Sequence, residues 1–376
     1  MSKKMPKIWE APLHTLAKIE ILRSYLHVWF SILGSTFSGR DLWYLDGFAG
    51  PGEYTNSPDG SPIAAIKAAD AALRGSGKWV AGKVRCFFIE EDPERHEHLK
   101  ARIESTAFSS AISAETFLGT FADGLRVLHG RPGNPFDRAE PVFAFIDPFG
   151  AKGLSFHVIA DLLSRPTCEV LVNLDSDGIR RIHRAREAAN HLEVLDEVFG
   201  DRSWQTDLSA IKGDDPRTIV AAYKRRLRAL PGVDYCFAFE MCSGRTSIDY
   251  HLVFASQHSR GLEKMKEQMK RIDQNGTFRF SGSDVGQQQL FEFNNATVAA
   301  RLMQQRFEGS TVKYRDLNNY ALNESPFVNP KSMLKLLESE GRITVDTQGL
   351  PRRKGTFPDR MQENILIHFH GGDPHG

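Results

Sequence analysis

Cysteine is scarce in this sequence, and what there is carries no pattern. Cys86, Cys168, Cys236 and Cys242 lie far apart except for the last two, a spacing that argues against a disulfide framework or a metal site and for buried thiols. Also missing are an apolar run long enough to span a bilayer and a leader ahead of the first helical stretch. No membrane association is therefore expected, and the default location is cytoplasmic. Neither sign of charge prevails: 48 Lys and Arg against 47 Asp and Glu leave a net charge of +1. That balance neither excludes nucleic acid nor argues for it, because local basic clusters decide. No Gly-Lys-Ser/Thr tripeptide and no internal repeat occurs. What remains is an ordinary globular composition, 41% hydrophobic and 25% charged, in 376 residues that suffice for one large and one small domain.

The chain organises around residues 42–54, Leu-Trp-Tyr-Leu-Asp-Gly-Phe-Ala-Gly-Pro-Gly-Glu-Tyr. A short apolar run ends on an acid, Asp46, and passes into a turn that holds Gly47, Phe48, Ala49, Gly50, Pro51 and Gly52. Glycine has no Cβ, so such a turn is expected to bring bare backbone N–H groups close to a ligand. Residues 60–73, Gly-Ser-Pro and an Ala-rich stretch, predict the helix behind the turn. Strand, glycine turn and helix together make a nucleotide-type site.

Ahead of it, Leu16, Ile19, Leu22, Tyr25, Leu26, Trp29 and Ile32 recur at three and four and predict a helix over 14–33, after a polar arm over 1–10. Strands are expected at 41–46, 84–90, 112–118, 142–146 and 169–174, with helices over 92–104, 121–128 and 154–163 between them. Continuous apolar strands alternating with helices predict an α/β fold with a doubly wound, mostly parallel, Rossmann-like sheet covered on both faces. A charged helical insertion follows over 176–230. Two strands, 235–241 and 247–255, then come with no helix between them, so the sheet should finish antiparallel before a basic helix over 261–272.

These elements define a first domain over 1–275. Residues 276–286, rich in Gly, Ser and Asp, read as a linker. A small second domain is expected over 287–370. Its helices over 288–307, 313–322 and 329–340, a strand from 341 to 345, the basic turn Arg352-Arg353-Lys354-Gly355 and a return over 364–369 form a winged helix-turn-helix pattern.

Asp46, Glu90 and Asp147 each close a predicted strand, on the edge where doubly wound sheets bind ligands. A carboxylate at Glu90 can accept both hydroxyls of a ribose, and Glu91 or Asp92 takes the role if the register slips by one. The plainer alternative is that these acids favour the N-terminus of the next helix. Thr120 or Asp123 could meet an adenine edge, or Thr120 could simply cap a helix. Asn173 and Asp175 face the same edge if the fifth strand keeps its register. Asp147-Pro148-Phe149-Gly150 is the second signal, since proline after the acid removes a donor and fixes φ, which exposes the carboxylate to the cleft. It is related to the Asp-Pro-Pro-aromatic motif that binds the target amine in amino-methylating enzymes, but the ring here comes one position early. A strand-ending turn is the other reading. Arg180, Arg181, Arg184 and Arg186, then Lys224, Arg225, Arg226 and Arg228, would suit phosphates, or form solvated faces with acids such as Glu187 and Glu193.

The turn lacks the third spaced glycine of the NAD fingerprint, and Pro51 denies a pyrophosphate one N–H. A sulfonium nucleoside carries no phosphate, and its positive charge and amino-acid tail suit a turn bearing an acid. S-adenosyl-L-methionine (SAM) is the expected cofactor, over Asp46, Gly47, Phe48, Ala49, Gly50 and Gly52, with its ribose on Glu90 or Glu91; no metal is expected.

Trp9, His14-Thr15, Lys18, the run from Tyr44 to Gly52, Gly60-Ser61-Pro62, Phe88-Ile89-Glu90 and Phe145-Ile146-Asp147-Pro148-Phe149-Gly150 together cover the first half of the chain. In these residues the sequence resembles the three-Cys-motif partner protein (TcmP) family, itself similar to class I SAM-dependent methyltransferases. The resemblance implies a methyltransferase-like fold, a C-terminal winged helix, and a partner with three cysteines that looks like a radical-SAM enzyme. It supplies no substrate. The function expected is SAM-dependent methyl transfer to nucleic acid, with Asp147, Pro148 and Phe149 facing the acceptor and the winged helix holding DNA or RNA. The alternatives are a non-catalytic protein that keeps the fold to bind its partner, and a nuclease or nucleotide hydrolase with Asp46, Glu90 and Asp147 on a metal.

Overall fold

A strand that is apolar on both faces needs cover on both, and that requirement sets the layers of the first unit. The computed structural model describes residues 6–185, 191–209, 215–244, 248–273, 279–281, 295–325, 327–358 and 363–371. The chain divides into two compact units, residues 1–272 with 279–285, and residues 273–278 with 286–376. The first unit begins with α1 (Leu13–Thr36), β1 (Leu42–Asp46), α2 (Ser61–Gly75), β2 (Val84–Glu90), α3 (Pro93–Glu104) and β3 (Ile112–Leu118). It continues with α4 (Phe121–His129), β4 (Val142–Ile146), α5 (Phe156–Leu163) and β5 (Cys168–Leu174). The charged insertion folds as α6 (Ser176–Arg184), α7 (His191–Phe199), α8 (Trp204–Ser209) and α9 (Pro216–Arg228). Then come β6 (Tyr235–Cys242), β7 (Tyr250–Ser256), α10 (Ser259–Ile272) and β8 (Arg279–Ser281).

The eight strands lie in the order β3-β2-β1-β4-β5-β7-β6-β8. Crossover helices make the first five parallel. β6 and β7 are joined without a helix, so β7 runs antiparallel to both its neighbours, β5 and β6. On one face Trp43, Leu45, Phe87, Ala144 and Ile146 meet Phe121 of α4, Ile159 of α5 and Tyr223 of α9 in one buried cluster. On the other face Tyr44 stacks parallel to Phe143 at 6.3 Å, and Tyr25 of α1 lies against Phe143 and Phe254. All four cysteines are free and buried, and burial pushes the thiols of Cys86 and Cys168 up to about 12, so they stay protonated and unreactive at neutral pH.

One correction concerns the stretch read as a linker. Its residues 279–281 form β8, which pairs parallel with β6 and buries Phe280. The β6 edge still had unpaired backbone groups to offer, and three residues suffice to take them. The rest of that stretch, the first residues of the helix expected over 288–307, and Ser247 at the start of the predicted seventh strand lie outside the described residues.

The second unit contains α11 (Asn295–Phe307), β9 (Thr311–Lys313), α12 (Tyr314–Glu324), α13 (Lys331–Ser339), β10 (Ile343–Asp346) and β11 (Leu366–Phe369). Its sheet runs β10-β11-β9, antiparallel throughout, over a core that includes Met303, Tyr314, Leu317, Leu334 and Ile367. β9 is an addition to the expected helices and hairpin. In the basic turn, Arg352 pairs with Glu338 and lies over the Phe357 ring at 4.9 Å, which leaves Arg353 and Lys354 as the exposed charges. Among the described residues no helix is long and apolar enough to cross a membrane.

The glycine turn closes on itself where Gly60 N–H donates to Gly52 O at 2.7 Å, and a Cβ on Gly60 would stand 2.8 Å from the Gly52 carbonyl carbon. Backbone cannot yield as a side-chain tip can. Gly60→Ala is therefore expected to cost about 1–3 kcal/mol of stability, lowering Tm by roughly 2–4 °C per kcal/mol for a domain of this size. Gly75→Ala, with nothing within 4 Å, should be neutral in the same thermal melts.

Candidate functional site

Ile146 and Val172 are the last pair that β4 and β5 share, and each is followed by a polar side chain, Asp147 and Asn173. Lys18 meets them from α1. It falls on the helix line of Leu22, Tyr25 and Trp29, all buried, and is itself only 4% exposed. Its Nζ lies 2.8 and 2.6 Å from Oδ1 and Oδ2 of Asp147 and 5.2 Å from the centre of the Tyr250 ring. Asn173 Nδ2 also donates to Asp147 Oδ1. An ammonium taken this far out of water without a counter-ion would cost several kcal/mol, so the pair fixes where the helix can sit.

Above this clamp is a cavity of about 230 Å³ whose walls include Lys18, Asp147, Asn173, Asp175, Tyr54 and Tyr250. Trp9 closes one side, meeting Tyr54 and Phe149 edge-on at 5.7 and 5.5 Å. Its segment is tied down by Asn56, whose amide accepts from Ala11 N–H and donates to Ala11 O, both at 2.9 Å. A second cavity, of about 340 Å³, is walled by Gly47, Glu90, Glu91, Thr120, Phe121 and Lys152. Phe48 and Phe149 line both cavities. Arg95 lies over Trp9 and Phe149, 5.9 and 5.3 Å from their centres.

The three acids expected to converge are held apart. Asp147 lines the first cavity and Glu90 the second, while Asp46 lines neither. Asp46 is wholly buried and accepts from the Tyr44 hydroxyl at 3.0 Å, from Phe48 N–H at 3.4 Å and from Ser61. Burial above all, helped by the nearby Asp147 charge, pushes its carboxyl up to about 7. Among the described residues no group of His, Cys, Asp and Glu is arranged to hold a metal.

Nor are the donors at Gly47, Ala49 and Gly50 bare. Gly47 N–H donates to Phe145 O, Ala49 N–H to Ile89 O, and Gly50 N–H to Glu90 Oε2 at 2.8 Å, because neighbouring strand ends and the Glu90 carboxylate reach them first. The other Glu90 oxygen accepts from Asp92 N–H at 2.9 Å. Ala49, Gly50 and Gly52 line the first cavity, Gly47 the second.

Pro148 and Phe149 line the first cavity beside Asp147, and Phe149 is 53% exposed. Thr120 lines the second cavity and also caps α4, accepting from Asp123 N–H at 3.2 Å. Asp123 lines neither cavity; it takes the Thr120 hydroxyl and Arg126, which hold its carboxyl below the usual range. The cap reading accounts for it. Three of the clustered basic residues are likewise engaged within the insertion: Arg180 and Arg181 pair with Asp177, and Arg226 pairs with Asp201 and Asp207. Arg186 and Glu187 lie outside the described residues.

Sequence reasoning missed Tyr54, Arg95 and Tyr250 at the site, and reached Lys18 only through resemblance. A lysine in line with the apolar stripe of α1 was the available signal. Arg95 and Tyr250 gave none, because α3 and the reversed β7 bring them in from far along the chain.

No protein-family model matches the sequence, and no curated protein matches it. Solved structures similar to it include methyltransferases. An O-methyltransferase from Bacillus cereus in complex with SAH is 16% identical, covering 62% of this chain and 80% of its own, with a TM-score of 0.34. Trm1 from Pyrococcus horikoshii, solved with S-adenosyl-L-methionine, is 12% identical over 72% of this chain and 61% of its own, with a TM-score of 0.30. Likeness this distant leaves the chemistry to the site's own geometry.

Asp46 gives a pH-dependent test. Its carboxyl ionises near 3.8 when exposed and about 7 when folded, so the unfolded chain gives up its proton first. Its contribution to stability is present below about pH 4, is lost as pH rises, and is gone above about 7. Asp46→Asn should remove that loss. Urea melts are expected to show the variant more stable than the parent at pH 8, by at most about 4 kcal/mol, with the gain shrinking steadily towards pH 5.

Proposed function

We propose that the first unit is a SAM-dependent methyltransferase. The observation that carries the reading is the pair of cavities at the carboxyl edge of the parallel strands, which share Phe48 and Phe149 in their walls, one walled by Glu90 and the other ending on Lys18, Asp147 and Asn173. That edge is where doubly wound sheets take nucleoside ligands. The turn there has its N–H groups at Gly47, Ala49 and Gly50 committed and a proline at position 51. This suits a nucleoside without phosphates. Glu90 accepts one N–H on each oxygen and keeps lone pairs for ribose hydroxyls. In such a site the cofactor supplies an electrophilic methyl group on a sulfonium. Glu90 would orient the nucleoside, Phe48 would border it, and the wall at Asp147 would hold the acceptor, so that positioning would provide most of the acceleration.

For the acceptor we propose a nucleic acid, held by the second unit read as a winged helix whose turn exposes Arg353 and Lys354. The sequence resemblance further suggests a three-Cys-motif, radical-SAM-like partner. A non-catalytic role beside that partner is the second reading, favoured by the way Lys18 and Asn173 already occupy Asp147.

Titration calorimetry with S-adenosylhomocysteine is expected to give micromolar binding, with Glu90→Ala weakening it about tenfold or more. No heat with the parent protein would overturn the reading. Co-purification with the three-Cys-motif protein, with Asp147 intact and as Asp147→Ala, addresses the partner. Loss of methyl transfer with retained complex is expected for the variant; transfer unaffected by the change would rule out a role for Asp147 in the reaction.

A further inference from the structure

A third cavity lies at the opposite end of the parallel strands from the glycine turn. Its volume is about 260 Å³, and its wall includes Pro141 and Thr167, the residues that lead into β4 and β5. One face of α1 contributes Val28, Trp29, Ile32, Leu33 and Phe37. Facing them are His258 and the first turns of α10, with Arg260, Gly261 and Lys264. A wall this apolar suits an apolar occupant, with polar contacts only where polar groups are unspent.

Most polar side chains in that wall are already engaged. Glu169 accepts from the hydroxyls of Tyr25 at 2.6 Å and Ser256 at 3.0 Å. Thr167 donates to Glu140 O at 2.9 Å, His258 Nε2 lies 2.9 Å from Pro166 O, and Lys264 Nζ donates to Glu267 at 2.8 Å. Arg260 differs: it is exposed, and its guanidinium makes no hydrogen bond or ion pair with the described residues.

Arg260 also stands at the wrong end of a helix. Ser259 begins α10, so the guanidinium belongs to the first turn, where the unsatisfied N–H groups already make the helix end positive and no acid of that turn offsets them. Glu169 lies against the same turn at Gly261, where a Cβ would clash with its Oε1, but its oxygens take the two hydroxyls and it forms no ion pair with Arg260. A cation so placed is unfavourable until an anion joins it.

We propose that this cavity binds a single-chain carboxylate, with its tail between α1 and α10 and its head on Arg260. The planar fork of donors on a guanidinium matches the two oxygens of a carboxylate. A cationic head is repelled by Arg260 and Lys264, and a neutral head leaves the charge at the helix end uncompensated. A water takes about 30 Å³ of the liquid and a methylene is of similar size, so a tail of roughly eight carbons fills the space.

The probe is octanoate, titrated calorimetrically into the full chain beside hexanoate, dodecanoate, 1-octanol and octylammonium. Octanoate should bind about tenfold or more tightly than hexanoate, each methylene being worth about fourfold, and dodecanoate should gain little more because the space is full. Octanoate should also bind about tenfold or more tightly than 1-octanol and octylammonium. Arg260→Ala, at an exposed position, should remove the advantage over 1-octanol, and Ile32→Trp, which fills the cavity, should abolish binding. No octanoate binding by the parent overturns the inference. So does 1-octanol or octylammonium binding as tightly as octanoate, an advantage over 1-octanol that survives Arg260→Ala, affinity that keeps rising fourfold per carbon to dodecanoate, or unchanged binding by folded Ile32→Trp. A parent that self-associates and excludes octanoate assigns the groove to a second copy and overturns it too. The parent series and Arg260→Ala decide even if Ile32→Trp does not fold, and none of these measurements bears on the methyltransferase reading.

Discussion

A lysine ammonium lies almost out of reach of water at the end of the parallel sheet, and Asp147 neutralises it. That single ion pair joins elements far apart in the chain. It pins the first turns of α1 to the end of β4, and from there the apolar line through Leu22, Tyr25 and Trp29 follows down the sheet face. Buried ion pairs of this kind add little net stability, because desolvation consumes most of the attraction, but breaking one leaves an uncompensated charge. Its value is positional: it presents Asp147 and Asn173 at one wall of a cavity and fixes which way the Asn173 amide points.

The acids at the strand ends illustrate how one residue type takes different jobs from its surroundings. Asp46, sealed under the turn with Tyr44 and Ser61, acts as a structural strut. Glu90 organises backbone, gathering the N–H groups of Gly50 and Asp92, and still faces the second cavity. Asp147 is fully engaged by Lys18 and Asn173 yet borders the first. Similar position along the strand did not mean a shared site. Asp147 and Glu90 line different cavities, which share Phe48 and Phe149 as wall residues, while Asp46 lines neither.

The architecture was largely legible because its signals were long. Continuous apolar runs at β1, β2, β4 and β5, the periodic stripe of α1 and the helix-free passage from β6 to β7 each span enough residues to outweigh local noise. Three-residue strands such as β8 and β9 leave no such trace; they exist because a neighbouring edge has groups to pair. At the site, the glycine turn and Asp147-Pro148-Phe149 were readable as chemistry, but not the fate of the turn's N–H groups, since nothing in the residues 47–50 tells which carbonyl or carboxylate will reach them. Trp9, Arg95 and Tyr250 meet at the cavity through tertiary placement alone.

The long separation between Lys18 and its partners also has a consequence for how the protein comes into being. On the ribosome, the first helix emerges well before Asp147, Asn173 and Tyr250 have been polymerised. Until then its lysine must stay hydrated, so α1 cannot settle in its final berth. Burial of that lysine therefore waits on Asp147, and the wall that Tyr250 gives the cavity waits on β7, which lies between β5 and β6.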